Sequence, residues 1–187
     1  DAGAVGAVEM VTVLSRDPGA PPVDYTKVSG GLFRDMMIHD FDMARWLVGE
    51  EFTTVKAFGS NLVDPAIGAA GDVDTAVVSM TTNSGKLASI SNSRRASYGY
   101  DQRIEVHGTK GMIQAQNVLE STVVTSTEDG VRSEKLMHFF LERYAAAYQA
   151  EWDGFVRLVI DGERTMPNQH DGLESLRLAE AASAQVL

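Results

Sequence analysis

The sequence predicts an α+β fold, a largely antiparallel open sheet with helices packed on one face. Short apolar segments recur through the middle of the chain, and several are joined by tight glycine turns, which require antiparallel neighbours. A strand and a helix precede this run of strands, and two helices follow it. The chain has 187 residues, of which 44% are hydrophobic. We therefore expect a single domain over residues 1–187, with a substantial core.

The elements follow in order. A strand is predicted at 9–15, where β-branched residues alternate, before a loop with three prolines that ends at Pro22. A helix opened by Ser29 and Gly30 is predicted to end at Gly49. Further strands are predicted at 52–58, 73–82, 86–93, 103–107, 112–115, 121–126 and 131–136, the last pair completing one meander. Two helices are predicted last, from about 139 to 160 and from 172 to the end.

Composition narrows the function classes. A net charge of −10 argues against a nucleic-acid partner, because phosphate binding needs a basic patch. The sequence has no apolar run near the roughly 20 residues that a membrane-spanning helix needs, so no membrane partner is expected. The absence of cysteine excludes disulfides and thiolate metal sites and is compatible with a cytoplasmic location. No Gly-x-Gly-x-x-Gly dinucleotide motif occurs.

A row of ionisable residues on the helix predicted over 29–49 is the first candidate site. Asp35 and His39 are four residues apart, and Asp42 is three further on, so all three share one side of a continuous helix. Two carboxylates flanking an imidazole can relay a proton near neutral pH. The alternatives are an exposed helix face with an ion pair, or a divalent metal site, although no second histidine lies nearby in the sequence.

The second candidate is the polar segment 92–103, which joins two predicted strands. Tyr98 and Tyr100 flank a glycine there, among several arginines. Phenol rings beside polar donors suit a sugar or polyol, which presents C–H faces and hydroxyl edges. A solvated loop with internal ion pairs is the alternative.

A third candidate is an aromatic stripe on the helix predicted over 139–160. Phe140, Tyr144, Tyr148 and Phe155 recur at helical spacing, which is more typical of core than of a ligand site. Tyr144 is the member that we expect to line a pocket, because its hydroxyl needs a partner.

These residues give the chain a close resemblance to the glucose–fructose oxidoreductase, inositol dehydrogenase and rhizopine-catabolism family. The matching stretches span the chain: residues 15–18, 29–49, 71–75, 93–108 and the Tyr148-x-x-Glu151-x-x-x-Phe155 pattern. The most specific are Gly-Gly-x-x-x-Asp-x-x-x-His-Asp-x-Asp and the Arg-Arg-x-x-Tyr-Gly-Tyr-Asp-Gln-Arg run, which resembles the inositol dehydrogenases of the family.

The resemblance implies a two-domain parent. In that family an N-terminal Rossmann domain binds NAD(H) or NADP(H) and carries a catalytic lysine, and the C-terminal α+β domain supplies the other catalytic and substrate groups. This chain resembles the C-terminal domain alone, so NAD is expected to be bound mainly by the absent domain. The implied reaction oxidises a cyclic polyol, myo-inositol to 2-keto-inositol, and the isolated chain is expected to be inactive.

The resemblance also implies residue roles. His39 resembles the catalytic base, Asp35 the acid that positions the substrate hydroxyl, and Asp42 the residue that orients the imidazole. The candidate substrate contacts are Met36, Tyr98, Tyr100 and Tyr144. No metal is expected, and the open sheet is expected to pair subunits in a homo-oligomer, a dimer or tetramer. A related sugar dehydrogenase and a non-catalytic assembly module remain as alternatives.

Overall fold

The computed structural model describes residues 3–164 and 166–187. Its strands are β1 (Val8–Arg16), β2 (Phe52–Ser60), β3 (Thr75–Thr82), β4 (Leu87–Ser93), β5 (Asp101–Gly108), β6 (Gly111–Ala115), β7 (Val124–Thr127) and β8 (Gly130–Ser133). Its helices are α1 (Val23–Ser29), α2 (Gly31–Asp35), α3 (Met37–Val48), α4 (Pro65–Ala69), α5 (Phe140–Arg143), α6 (Ala145–Asp161) and α7 (Gln169–Val186).

Six strands form one open sheet in the order β2-β3-β4-β1-β5-β6. Every neighbouring pair is antiparallel except β1 and β4, which run parallel because the chain crosses over through the first helices before it returns. This arrangement confirms the predicted largely antiparallel sheet. It also places the carboxyl-terminal ends of β1 and β4 at the same end of the sheet, beside the start of β5.

Helices cover one face of this sheet. α3 packs on β1 and β4, and α7 packs on β2 and on α3. Side chains alternate along the strands, so one set points into this layer and is buried. Phe33, Met37 and Phe41 from the helices meet Val13 and Ile90 from the strands in the core.

The helix predicted over 29–49 is broken. α2 ends at Asp35 and α3 begins at Met37, with Met36 between them at φ −109°. The Asp72 carboxylate caps α2 by accepting from the Leu32 amide at 3.1 and 3.0 Å. Gly31 has φ +81°, and a Cβ there would lie 2.6 Å from Asp72 Oδ1, which explains the need for glycine at this entry. The break changes which side chains share a face.

Other elements differ from the sequence prediction in extent. β7 and β8 form a separate two-stranded sheet and do not complete the meander, so that prediction was wrong. The long helix is interrupted at Tyr144, which caps both α5 and α6. α7 starts earlier than predicted because Asn168 and Asp171 build a capping box. α1 and α4 were not predicted.

The aromatic stripe is not core. Tyr148 and Phe155 are each 47% exposed, and Gly154 is the only buried residue of α6. In the part of the chain that the structure describes, no helix is long and apolar enough to cross a membrane.

Candidate active site

The helix-covered face of the sheet changes from apolar to polar at one end. β4, β1 and β5 pair side by side, so residues of the three strands form rows across the sheet. Two successive rows are apolar: Ala88, Val11 and Val106, then Ile90, Val13 and Ile104. The next row is polar: Asn92, Ser15 and Gln102. This polar row covers the core and forms the floor of the candidate site.

Asp40 of α3 lies against this floor. Its carboxyl is fully buried, and Asn92 Nδ2 donates to Oδ2 at 2.8 Å. Burial raises the pKa of Asp40 to about 7, since hydrogen bonds from Asn92 and Ser15 offset only part of the lost hydration. No salt bridge joins Asp40 to a basic side chain within residues 3–164 and 166–187. Asp40 therefore titrates close to neutral pH.

Arg94 connects two further carboxylates at the rim of the site. Its Nη2 donates to Asp35 Oδ2 at 2.7 Å, and its Nη1 donates to Asp17 Oδ2 at 3.2 Å. Tyr25 Oη donates to the other oxygen of Asp35 at 2.6 Å. The Arg94 side chain is 5% exposed, so these charges interact where water screens them little.

Asp17 links the rim to the floor electrostatically. Burial raises the pKa of its carboxyl, while Arg94 opposes that shift. The Asp17 charge in turn contributes to the raised pKa of Asp40 and of Tyr100. Three carboxyl groups thus share one site with a single buried arginine.

Two phenols complete the floor. The rings of Tyr100 and Tyr144 meet edge to face with centroids 6.0 Å apart. Tyr144 Oη donates to Gln102 Oε1 at 3.4 Å, and Ser15 Oγ donates to the same oxygen at 2.6 Å. Burial raises the pKa of both phenols, so they remain neutral and can serve as hydrogen-bond donors.

The floor also holds polar atoms without partners. Among the described residues, Asn92 Oδ1 and Gln102 Nε2 are buried and make no hydrogen bond. An unpaired buried polar group costs about 1–3 kcal/mol, so such groups are uncommon in natural proteins. Asn92 also binds Asp40, so one of these unpaired atoms lies next to the buried carboxyl.

His39 is exposed in the first turn of α3, where its amide donates to the Met36 carbonyl at 3.4 Å. Within the described chain no side chain hydrogen bonds to its imidazole. The break at Met36 lies between His39 and Asp35. The His39 imidazole, which has no side-chain partner, and the Asp35 carboxylate, which Arg94 and Tyr25 bind, therefore lie on either side of this break in the chain.

Three predicted site residues, Asp42, Met36 and Tyr98, have surroundings in the structure that differ from the prediction. Asp42 accepts from Ser175 Oγ at 3.2 Å and lies 3.6 Å from Arg45 Nη1, away from the imidazole that it was expected to orient. His39 and Asp42 lie three residues apart in the continuous helix α3, so the contacts of Asp42 with Ser175 and Arg45 account for the difference, and the break at Met36 does not. Met36 is buried in the core, so it does not offer a substrate contact.

Tyr98 is separated from the other candidates. Its hydroxyl donates at 2.6 Å to Asp101. Asp101 is the register partner of Arg16 in the β1–β5 pair, and its side chain lies on the sheet face opposite the polar row. Arg103 and Asn117 also bind this carboxylate, which is fully buried and well satisfied. Tyr98 thus belongs to a local network that orders its loop. The prediction that Tyr98 contacts substrate together with Tyr100 is not supported by this placement.

Several residues of the site were not predicted: Asp17, Asp40, Asn92, Arg94 and Gln102. In the alternative of a solvated loop, Arg94 would form ion pairs within its own loop, yet its partners are 77 and 59 residues away. Asp17 lies in a stretch that carried the family resemblance, which was the available signal. Asp40 is a fixed position of the Gly-Gly-x-x-x-Asp-x-x-x-His-Asp-x-Asp motif, which was the available signal, although local spacing did not show that it is buried.

A separate cleft lies elsewhere. It has a volume of about 810 Å³ at the far end of α3, beside Arg45 and Trp46. Arg45 donates to Glu51 at 2.8 Å and lies 3.6 Å from both Asp42 and Asp171, so its charge is fully paired. We regard this cluster as structural, because neither His39 nor any residue of the polar row lines the cleft.

The described residues fit neither a metal nor a dinucleotide. No group of three or more His, Asp or Glu side chains in the described ranges could hold a metal ion. The sequence lacks a Gly-x-Gly-x-x-Gly turn, the feature that receives a pyrophosphate between a strand and a helix. The site is therefore one of hydroxyl, carboxylate and imidazole groups.

Comparisons with known proteins agree with this architecture. Residues 1–114 match the family model described as the GFO/IDH/MocA C-terminal domain. An inositol 2-dehydrogenase from Rhizobium meliloti is 54% identical over 186 residues, which cover 100% of this chain and 56% of the relative. The chain thus spans about half the length of the curated relatives that it matches.

Solved structures give the same result. A myo-inositol dehydrogenase from Corynebacterium glutamicum superposes with a TM-score of 0.94 at 41% identity, covering 98% of this chain and 55% of the other. A scyllo-inositol dehydrogenase from Lactobacillus casei, solved with NAD(H) and scyllo-inositol, superposes with a TM-score of 0.87 at 31% identity, covering 98% and 56%.

Proposed function

Because this chain is a C-terminal domain of the GFO/IDH/MocA family, we propose that it forms the substrate-binding half of a dehydrogenase. The dehydrogenase would oxidise a cyclic polyol. The substrate that we infer is myo-inositol, one of whose secondary hydroxyls would become a ketone. The relatives named as inositol dehydrogenases support this choice.

One observation carries the proposal. The exposed imidazole of His39 has no side-chain hydrogen-bond partner among the described residues, and Asp35, four residues earlier across the break at Met36, has its carboxylate held by Arg94 and Tyr25. In the proposed reaction Asp35 accepts a hydrogen bond from a substrate hydroxyl, and His39 takes the proton of the hydroxyl that is oxidised. Tyr100 and Tyr144 offer neutral phenols to neighbouring oxygens. We do not retain the orienting role of Asp42.

Oxidation of a carbinol also needs a hydride acceptor. We infer that NAD supplies it and binds to a part of the parent protein outside these residues, in line with the NAD(H)-bound structure among the neighbours. We therefore expect residues 1–187 alone to give no turnover of myo-inositol with NAD. Measurable NADH production by the isolated chain would contradict this expectation.

Replacement of the imidazole tests the proposal in the full-length parent protein. His39→Ala should lower kcat for myo-inositol oxidation by roughly 100-fold or more, because the general base is lost. His107→Ala is the matched control, since that imidazole is exposed on β5 beside Glu9. Equal activities of the two variants would refute the role of His39.

The uncovered face of the sheet supports a second part of the proposal, assembly with further copies of this chain. Exposed apolar side chains occupy this face on five strands: Phe58, Val77, Leu87, Met10 and Met112. A flat, partly apolar sheet face of this kind is typical of subunit contacts. We expect a dimer or tetramer, and Val77→Asp should shift the mass measured by analytical ultracentrifugation towards the monomer.

A related sugar dehydrogenase is the alternative within the family. The two are separated by comparing kcat/KM of the parent protein for inositols and for pyranoses. A non-catalytic assembly module would instead show neither turnover nor any effect of His39→Ala, while Val77→Asp still dissociated it.

A further inference from the structure

We propose that Arg94 is a positioning residue of this site, which orients the Asp35 carboxylate so that its free lone pairs receive a vicinal diol. This inference rests on the proposed polyol oxidation. It concerns a residue that contacts the substrate-binding carboxylate and does not itself take part in proton transfer.

The backbone around Arg94 is fixed at two points. Its amide donates to the Asp74 carbonyl at 2.8 Å, at the start of β3. The Asp17 amide donates to the Ser93 carbonyl at 3.0 Å, which ties the end of β1 to the end of β4. The side chains of Arg94 and Asp17 therefore extend from strand ends that are hydrogen-bonded to each other. Asp35, the other carboxylate partner of Arg94, is oriented by this fixed guanidinium.

The hydrogen-bonding capacity of Asp35 shows what remains for a ligand. A carboxylate has about four lone-pair sites. Arg94 Nη2 occupies one on Oδ2, and Tyr25 Oη occupies one on Oδ1. One site on each oxygen is left, and the side chain is 16% exposed. Two acceptors on adjacent oxygens match two hydroxyls on neighbouring ring carbons of a polyol.

Lysine would not replace this arginine. The guanidinium presents separate nitrogens to Asp17 and Asp35 in one plane, whereas an ammonium is a point charge on a flexible stem. With lysine, the charge would stay but the orientation of Asp35 would not be specified. Arg94→Lys therefore tests orientation, and Arg94→Met tests orientation and charge together.

The experiment uses the full-length parent protein and myo-inositol. Arg94→Lys should raise KM and lower kcat/KM by about 10- to 100-fold, the range for a lost charge-assisted hydrogen bond. The same substitution should cost less with a deoxy-inositol that lacks one hydroxyl of the diol. Arg94→Met should also move the acid limb of the kcat/KM profile to higher pH, because the Asp17 carboxyl loses the cation that opposes the rise of its pKa.

Arg95 provides the matched control. It is the next residue, exposed, and donates to the Leu62 carbonyl at 3.0 Å without contacting a carboxylate. Arg95→Lys should leave KM and the pH profile unchanged. A purely structural role for Arg94 would lower kcat in proportion to the folded fraction, measured by thermal unfolding, and leave KM unaltered.

The outcomes separate the two proposals. An active wild type in which Arg94→Lys and Arg95→Lys have the same KM overturns the positioning role alone. A wild-type parent without polyol turnover overturns the proposed function and this inference with it. A higher KM for Arg94→Lys, with a smaller penalty for the deoxy substrate, supports the diol interaction.

Discussion

Two regions of this chain differ sharply in how they bury their apolar residues. In the first, strands β1–β5 with helices α2, α3 and α7 enclose a continuous core, where Phe33, Phe41 and Val78 are at most 1% exposed. In the second, between Gly111 and Glu163, Gly154 is the only buried residue. Trp152 and Ile160 in that region are 63% and 73% exposed.

The difference shows that an amphipathic pattern does not identify its own partner. α3 and α6 both present apolar side chains at helical spacing, yet α3 packs on the sheet and α6 does not. The proposed site lies at the packed end, where buried charges can be held in place. Four predictions test this contrast between the enclosed core and the exposed segment, from the largest expected effect to the smallest.

Removal of a core aromatic should have the largest effect. Phe41→Ala should lower the free energy of unfolding by about 3–5 kcal/mol, because it leaves a cavity under α3. Trp152→Ala, which removes a larger but exposed ring, should change it by no more than about 0.5 kcal/mol. Urea denaturation of the chain measures both. Comparable losses would show that α6 is packed in solution.

Asp40 should make the stability of the enclosed region depend on pH. Its folded pKa of about 7 exceeds the ordinary value of 3.8, so its contribution is fully present below pH 3.8 and is lost as the pH rises through 7. At 1.36 kcal/mol per pKa unit the loss is at most about 4 kcal/mol. Asp40→Asn should therefore be more stable than the wild type at pH 8, with the gap closing towards pH 4.

The control for that measurement is Asp153→Asn on exposed α6. It should leave the pH dependence of the unfolding free energy as it is in the wild type. If Asp40→Asn retained the wild-type slope between pH 4 and 7, the buried carboxyl would not be its source.

Alanine substitutions at two glycines with similar backbone angles allow a direct comparison of the two regions. Gly31 and Gly162 have φ of +81° and +71°, but a Cβ at Gly31 meets Asp72 and a Cβ at Gly162 meets nothing within 4 Å. Gly162→Ala should cost about 1–2 kcal/mol for the left-handed conformation. Gly31→Ala should cost about 1–3 kcal/mol more, as the cap on α2 is displaced. Thermal unfolding of both variants tests whether the excess exists.

The smallest expected effect on stability concerns the exposed segment itself. Ile160→Ser should leave the unfolding free energy within about 0.5 kcal/mol, since the side chain is already solvated. It should reduce self-association of the chain at high concentration, as measured by light scattering. A large destabilisation would mean that Ile160 is covered.

The sequence was a good guide to the strands and the hairpins of the main sheet. Alternation and turn residues depend on neighbours within a few positions, which is why β3, β4 and their turn were correctly predicted. The same local reasoning failed at the helix over 29–49. There the helix breaks at Met36, inside a periodicity that looked continuous, and the cap on α2 comes from Asp72, 40 residues beyond Leu32.

The candidate site shows the same division. The sequence by itself determined the fold class, the family, and the polar residues Asp35 and His39 near one helix end, since these depend on local pattern and motif. The tertiary structure decided that Arg94 orients Asp35, that Asp40 is buried against Asn92, and that Asp42 faces elsewhere. Those contacts join residues 59 and 52 positions apart, and chain crossover, not local propensity, brings such residues together.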